Sequence, residues 1–171
     1  MIDRCRSGMD NAMIQGKWFP QGADLSEALS VRQAVFSRGE DALDAESQNV
    51  VVYQDDVPAA SGRLWWRDGS FWLGDLGVLP AFRGKMLGDL TLRLLLFKAQ
   101  SHYAREVRLR TPAETAGFFT RLGFREDSAS PEAAPNAADA SSVLMFLPGE
   151  EIELDSCKSC RKANCPNRKG S

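Results

Sequence analysis

Nowhere does the chain string together the roughly 18 consecutive apolar residues that a membrane-spanning helix needs. Its opening residues, MIDRCRSGMDNA, also lack the apolar core of a secretory signal. Both absences point to a soluble protein, with the cytoplasm as the expected compartment and no membrane partner. Histidine is represented by His102 alone and tyrosine by Tyr53 and Tyr103, so few side chains other than carboxylates can move a proton near neutral pH. No internal repeat is visible. The Gly-x-x-x-x-Gly-Lys-Ser/Thr loop of nucleotide triphosphatases is missing, as is the dinucleotide pattern Gly-x-Gly-x-x-Gly.

What is present fits one globular domain with a real core, since the chain has 171 residues, 43% hydrophobic and 26% charged. The net charge of −2 hides an asymmetry: residues 157–171 carry five Lys or Arg and no acid, which leaves −7 on residues 1–156. An acidic body disfavours nucleic acid as the main partner. The expected division is an N-terminal arm (1–11), a domain (12–147) with a mobile surface loop at 128–141, and a basic, cysteine-rich tail (148–171).

The hydrophobic pattern predicts the elements in turn. AMIQGKWF (12–19) reads as a strand, and Asp24 with Glu27 as a capping box opening a helix whose face is Leu25, Ala28, Leu29, Val35 and Phe36, ending near Gly39. Strands follow at 49–54, 59–66 and 70–79, with a turn at DDVP and a hairpin turn at Arg67-Asp68-Gly69. A long helix over about 83–103 presents Leu87, Leu90, Leu94 and Phe97 as one stripe, widened by Leu92, Leu95, Leu96 and Ala99, with Asp89 and Arg93 paired on its wet side. Then come a strand (106–111), a short helix (113–122) capped by Gly123, and a last strand (141–147). The fold class is α/β in the α+β sense: a mixed, mostly antiparallel central sheet flanked by helices.

The junction "LGDLGVLPAFRGKMLGDL" places Arg83, Gly84, Lys85 and Gly88 where a strand gives way to a helix. A helix start aims unpaired N–H groups and the positive end of its dipole outward, and small residues let an anion come close to the backbone. With two cations added, this junction is suited to a phosphate or pyrophosphate; a plain structural cap is the alternative.

"GVLPAFRGKMLG" (77–88) resembles the acyl-CoA signature of the GNAT superfamily of N-acetyltransferases, and "AGFFTRLGF" (116–124) is similar to the family's Phe-Tyr-x-x-x-Gly-Phe helix end. "VRQAVF" (31–36) with "RGKMLG" resembles the ElaA-like branch. The resemblance implies a GNAT-type sheet over about residues 12–147 and acetyl-CoA as cosubstrate. It implies that the backbone of Leu76, Gly77 and Val78 pairs with the pantetheine arm as an added strand. Amides of Arg83, Gly84, Lys85, Met86, Leu87 and Gly88 would then cradle the pyrophosphate, and Phe118 and Phe119 would lie beside the thiol.

Two positions depart from the pattern. Met86 stands where Gly is common, and Phe119 where many members have a Tyr proposed to protonate the leaving thiolate. A base is also required, because an alkyl ammonium of pKa about 10.4 must lose its proton before attack. Asp75 is the candidate. Strict alternation puts Val78, Leu76, Gly74 and Trp72 on one face and Asp75 on the other, so only a bulge, permitted by Gly74 and Gly77, brings Asp75 inward. Otherwise Asp75 is a surface carboxylate or a partner of Arg83 or Arg63. His102 reads as an exposed helix-end residue. Glu40, Asp41 and Asp44 are either acceptor-site acids or solvated loop acids. Among Trp65, Trp66, Phe71 and Trp72, most fill the core, and one or two are available to line an apolar pocket for an aromatic or acyl acceptor.

The tail contains Cys157, Cys160 and Cys165 as Cys-x₂-Cys-x₄-Cys-Pro. Zinc needs four ligands, and Cys5 is the available fourth, from the same chain or from a second subunit in a homodimer. A free or redox-active basic tail and an iron–sulfur cluster remain alternatives. The function expected is acyl-CoA-dependent transfer, with acetyl as the expected group, to a small-molecule or peptide amine by direct attack in a ternary complex, with a non-catalytic CoA-binding or interaction module of the same fold as the alternative.

Overall fold

The structure, a computed structural model, describes residues 12–128 and 141–154. Seven strands form one sheet in the order β1-β2-β3-β4-β5-β7-β6. The strands are β1 (Ile14–Phe19), β2 (Gln48–Gln54), β3 (Val57–Arg67), β4 (Ser70–Val78), β5 (Glu106–Pro112), β6 (Arg125–Glu126) and β7 (Ser142–Pro148). Every neighbouring pair is antiparallel except β4 and β5. Helices α1 (Ser26–Phe36), α2 (Leu87–Ser101) and α3 (Ala116–Thr120) complete the fold.

The run NVVVY explains how the layers are held. Val50 packs with Leu92 and Leu95 of α2, and Val52 with Leu87, whereas Val51 and Tyr53 pack with Ala28 of α1. The alternate residues of β2 thus face opposite helices, and a strand buried on both sides has no polar face to show. The main core lies on the α2 side, where Leu92, Leu95, Leu96 and Ala99 meet Leu64, Leu73, Val107, Leu109, Phe119 and Phe124. Each such side chain contributes roughly 1.5–3 kcal/mol by leaving water.

Both two-residue hairpin turns use left-handed residues, Asp55 and Asp56 after β2 and Asp68 and Gly69 after β3, which match the right-handed twist of the strands. The first hairpin is tighter than the sequence suggests: Gln54 already faces Val57, and Pro58 sits within β3 beside an irregularity at Val52/Tyr53. The capping box also lies elsewhere. Leu25 is the residue before α1, Asp24 accepts from Ser26, and Glu27 instead binds the Tyr53 hydroxyl. The box occurs at the 3₁₀ turn Ala42–Ala45, where Asp41 and Asp44 accept reciprocally from backbone amides.

Phe97 is 57% exposed, outside the stripe expected for it, while Asp89 and Arg93 do pair at 2.7 Å. The body continues past 147: Ile152 and Leu154 pack on the core, and the carbonyls of Leu154 and Ile152 accept from Arg93 and Gln100 of α2. Among the described residues no helix is long and apolar enough to cross a membrane.

Candidate active site

Strands β4 and β5 pair only through Phe71↔Val107, Trp72↔Arg108 and Leu73↔Leu109, although β4 runs on to Val78 and β5 to Pro112. Beyond Leu73 the two strands part. The cause is a bulge on the opposite edge of β4: Ser61 faces Gly77 and Arg63 faces Gly74, so Asp75 and Leu76 together oppose Gly62. One extra residue bends the strand and increases its twist. Asp75 carries the distortion with φ 49°. Among the described residues the split leaves one edge of Leu76, Gly77 and Val78 without a strand partner while their other edge stays on β3.

The start of α2 stands beside this open edge. After Val78 the chain passes through the 3₁₀ turn Pro80–Phe82 and then takes left-handed conformations at Gly84 (φ 78°) and Met86 (φ 61°). A helix cannot begin through such residues, so α2 starts at Leu87 and not near 83. Leu90 N donates to Met86 O at 3.1 Å. The amides of Leu87, Gly88 and Asp89 therefore have no acceptor within the helix. Arg83 and Lys85 are exposed beside them; Arg83 Nε donates to the Val78 carbonyl at 3.1 Å, and Lys85 Nζ lies 5.6 Å from the Phe82 ring centre.

Gly88 fixes the width of the opening. A Cβ there would lie 3.4 Å from Val78 Cγ2 and 3.7 Å from Phe118 Cζ, so β4, α2 and α3 converge at this point. Phe118 is partly buried at the edge of the core, whereas Phe119, 7% exposed, sits within it and meets Phe118 and Phe124 edge-on at 5.1 and 5.9 Å.

The open edge of β4 thus lies beside a helix start whose first amides have no acceptor within the helix. The family described as Acetyltransferase (GNAT) domain matches residues 45–126. Over that stretch the chain is similar to a GNAT acetyltransferase domain. A curated relative, "Uncharacterized N-acetyltransferase YjcF" of Bacillus subtilis (strain 168), is 28% identical over 109 residues, covering 59% of this chain and 78% of that protein. The crystal structure of Escherichia coli ElaA superposes with a TM-score of 0.64 at 20% identity, covering 78% of this chain and 99% of that one. A GNAT family acetyltransferase from Elizabethkingia anophelis, solved with acetyl-CoA bound, gives 0.61 at 14% identity, covering 79% and 97%. At these identities the two solved structures establish a shared fold, and the ElaA resemblance extends no further than that.

The bulge sorts the side chains of β4 differently from simple alternation. A Cβ on Gly62 would meet Leu76 beside Leu95 and Thr91 of α2, and Val78 faces Gly88, so Leu76 and Val78 belong to the α2 face. A Cβ on Gly77 would meet Val35 and Phe36 of α1, one on Gly74 would meet the Trp65 ring, and Asp75 reaches Arg32 of α1. Gly74 and Trp72 therefore share the α1 face with Asp75 and not the face of Leu76 and Val78.

On that α1 face three guanidiniums and three carboxylates interlock. Asp75 contacts Arg38, Arg63 Nη2 at 2.8 Å and Arg32 Nε at 3.6 Å, and its side chain is 5% exposed. Asp44 accepts from Arg32 at 2.8 and 2.9 Å and from Arg63 at 3.2 Å, and Asp41 binds Arg63 at 2.7 and 2.8 Å. Burial alone would raise the Asp44 pKa, but the Arg32 hydrogen bond, the Asp41 amide and the charges of Arg32 and Arg63 outweigh it and hold it below the usual carboxylate value. The hydrogen bond from Arg63 does the same for Asp41, against the opposing effect of burial. Burial likewise works against charge on Arg63, yet the Asp41 hydrogen bonds and the charges of Asp75, Asp41 and Asp44 raise its pKa. Asp41 and Asp44 are thus members of an ion network and not solvated loop acids, whereas Glu40 is exposed.

Other candidates lie away from the split. His102 is exposed at the far end of α2, next to Tyr103, which is 93% exposed. Tyr53 packs with Phe19, Val51 and Ala28 and is tied to Glu27, with its pKa raised by burial and by that carboxylate. Cys5, Cys157, Cys160 and Cys165 fall outside the described residues; among the described residues no group of three or more His, Cys, Asp or Glu side chains could hold a metal ion. Sequence reasoning missed Arg32 and Arg38. The available signal for Arg32 was a lone cation on the apolar side of α1, one residue after Val31.

Proposed function

We propose that the chain transfers the acetyl group of acetyl-CoA to a primary amine by direct attack in a ternary complex. The observation that carries this reading is the parting of β4 and β5 after Leu73↔Leu109 beside the free amides of α2. The open edge at Leu76, Gly77 and Val78 offers backbone donors and acceptors to the amide-rich pantetheine arm, in the manner of an added strand. The Arg83–Gly88 loop and the first amides of α2 then receive the pyrophosphate, with Gly88 leaving room for it. Arg83 gives up the Val78 carbonyl to do so, and this frees that carbonyl for the arm. Phe118 borders the thioester end, with Phe119 behind it in the core.

In the reaction the amine lone pair forms the N–C bond as the C–S bond breaks, sulfur leaves as thiolate, and the nitrogen loses one proton. Among the described residues no tyrosine lies at the split, so water supplies the proton to the thiolate. Asp75 is the carboxylate of β4 nearest the split. Its oxygens already face Arg32, Arg38 and Arg63, and Arg38, 58% exposed, is the one partner an incoming ammonium can displace. Asp75 then serves as the proton acceptor of the amine.

A CoA-binding module without turnover is the second reading, favoured by Phe119 in place of a hydroxyl-bearing residue. Release of free thiol from acetyl-CoA in the presence of a panel of amines separates the two. Amine-dependent release is expected, and binding of acetyl-CoA without release from any amine would select the module.

A further inference from the structure

Several buried nitrogens of the α1 face have nothing to donate to, Arg63 Nε, Trp72 Nε1 and Arg110 Nε among them. Trp72 Nε1 and Arg110 Nε are both buried without a hydrogen-bond partner among the described residues. They lie on the same face of adjacent strands. Trp72 faces Arg108 in the last stretch where β4 and β5 still pair, and Arg110 lies two residues further along β5, on the same face. Gly74, two residues beyond Trp72, stands where the strands have separated, and it contributes no side chain. Behind it lies the Trp65 ring, whose atoms would be 3.1 and 3.2 Å from a Cβ at that position.

Arg110 differs from every other arginine of this face. Arg32, Arg38 and Arg63 are neutralised by Asp41, Asp44 and Asp75, and Arg108 by Glu106 and Asp127. Arg110 is partly buried, and its side chain donates only to the Ser142 hydroxyl, at 3.4 Å, with no carboxylate in ion-pair range among the described residues. A buried donor left unsatisfied costs free energy, more so when it is charged. A guanidinium and an indole N–H on one face beside the parted strands have the chemistry of an oxyanion site.

We propose that the acceptor is an amine that also carries a carboxylate, held by the Arg110 guanidinium and the Trp72 N–H on the α1 face of the split. The inference rests on the transferase reading above and adds the substrate class to it. A polyamine is disfavoured, because its second ammonium would meet Arg110 and Arg38.

The test uses amino acids with α-, β- and γ-amino groups, each beside its amide and its decarboxylated amine, with phosphoethanolamine as a phosphate arm. Thiol release is one readout. The other is calorimetric binding of the corresponding N-acetyl compounds to the CoA-loaded protein, which needs no turnover. The expected result is a preference of about ten- to a hundredfold for a carboxylate-bearing compound over its amide. Arg110→Gln should erase that preference, and Trp72→Phe, which keeps an aromatic ring, should reduce it several-fold. Circular dichroism and acetyl-CoA binding show that both variants remain folded. A preference that is absent, that survives Arg110→Gln, or that goes to phosphoethanolamine overturns the proposal. Arg110-dependent binding of N-acetyl amino acids without thiol release from any amine would support the subsite and reject the transferase reading.

Discussion

Gly88 of α2 faces Val78, the last residue of β4, so closely that a Cβ on the glycine would stand 3.4 Å from Val78 Cγ2. That is ordinary van der Waals contact, so a methyl fits there and anything longer must enter the space between β4 and α3. The helix start is thereby kept open where its amides are free.

Gly88→Glu is expected to leave the fold intact, since helix propensity improves on replacing glycine. It should weaken acetyl-CoA binding by at least about a hundredfold, because a carboxylate would occupy the place of the pyrophosphate. Calorimetry alongside a thermal melt checks both halves. Unchanged affinity would remove the pyrophosphate assignment.

Met86 holds φ 61° with its side chain 74% exposed. A left-handed non-glycine residue costs roughly 1–2 kcal/mol, and glycine returns part of that as entropy lost on folding. Met86→Gly should therefore stabilise the protein by about 0.5–1 kcal/mol in denaturant unfolding and leave acetyl-CoA affinity unchanged. Destabilisation would mean that the Met86 side chain makes a contact of value.

The bulge, the left-handed Met86 and the arginine network show where sequence reasoning stops. Periodicity carries the sheet and helices because NVVVY and the leucines of α2 repeat at the spacing of their elements, and the glycines at 74 and 77 flag the bulge. Which way the bulge turns Gly74 is seen only where the Trp65 ring of β3 packs against it. The helix start at 87 depends on backbone conformations that Lys85-Met86 does not announce. Partly buried Arg110 carries no mark in the sequence, buried Arg32 only its place one residue after Val31, and Arg63 enters only as one of two candidate partners of Asp75, until the sheet brings their neighbours beside them.

Asp44 is held by four hydrogen bonds, from Arg32, Arg63 and the Asp41 amide. Asp44→Ala leaves two buried guanidiniums short of charge and should cost about 3–5 kcal/mol, measured by urea unfolding. A loss under about 1 kcal/mol would show that Asp41 and Asp75 neutralise both arginines unaided.

The same carboxylates set an acid limit. Asp41 and Asp44 bind a proton less readily in the folded protein than in the unfolded chain, where the value is about 3.9. Their contribution is complete above that value and is lost as pH falls through the depressed native values, because the unfolded state then takes up more protons. Unfolding free energies measured from about pH 6 to about pH 2 should fall steeply below pH 4, less so in Asp44→Asn. Equal slopes in both proteins would place the acid sensitivity elsewhere.

Phe119→Tyr places a hydroxyl behind Phe118 at the thiol end. Acetyl-CoA affinity should hold, and turnover should rise by on the order of tenfold or more if the hydroxyl reaches the departing sulfur. Steady-state thiol release measures this, and no rise with a good acceptor means that water already protonates the thiolate fast enough.

Residue-by-residue amide mapping during an acetyl-CoA titration tests the central claim most directly, since it reads where the cosubstrate sits without requiring an acceptor. The account predicts one saturating site, with the largest changes at Leu76, Gly77 and Val78 on the open edge of β4 and at Arg83 through Gly88, and none of them in Gly88→Glu. Saturable binding whose shifts cluster elsewhere, or no binding at millimolar acetyl-CoA, would contradict it.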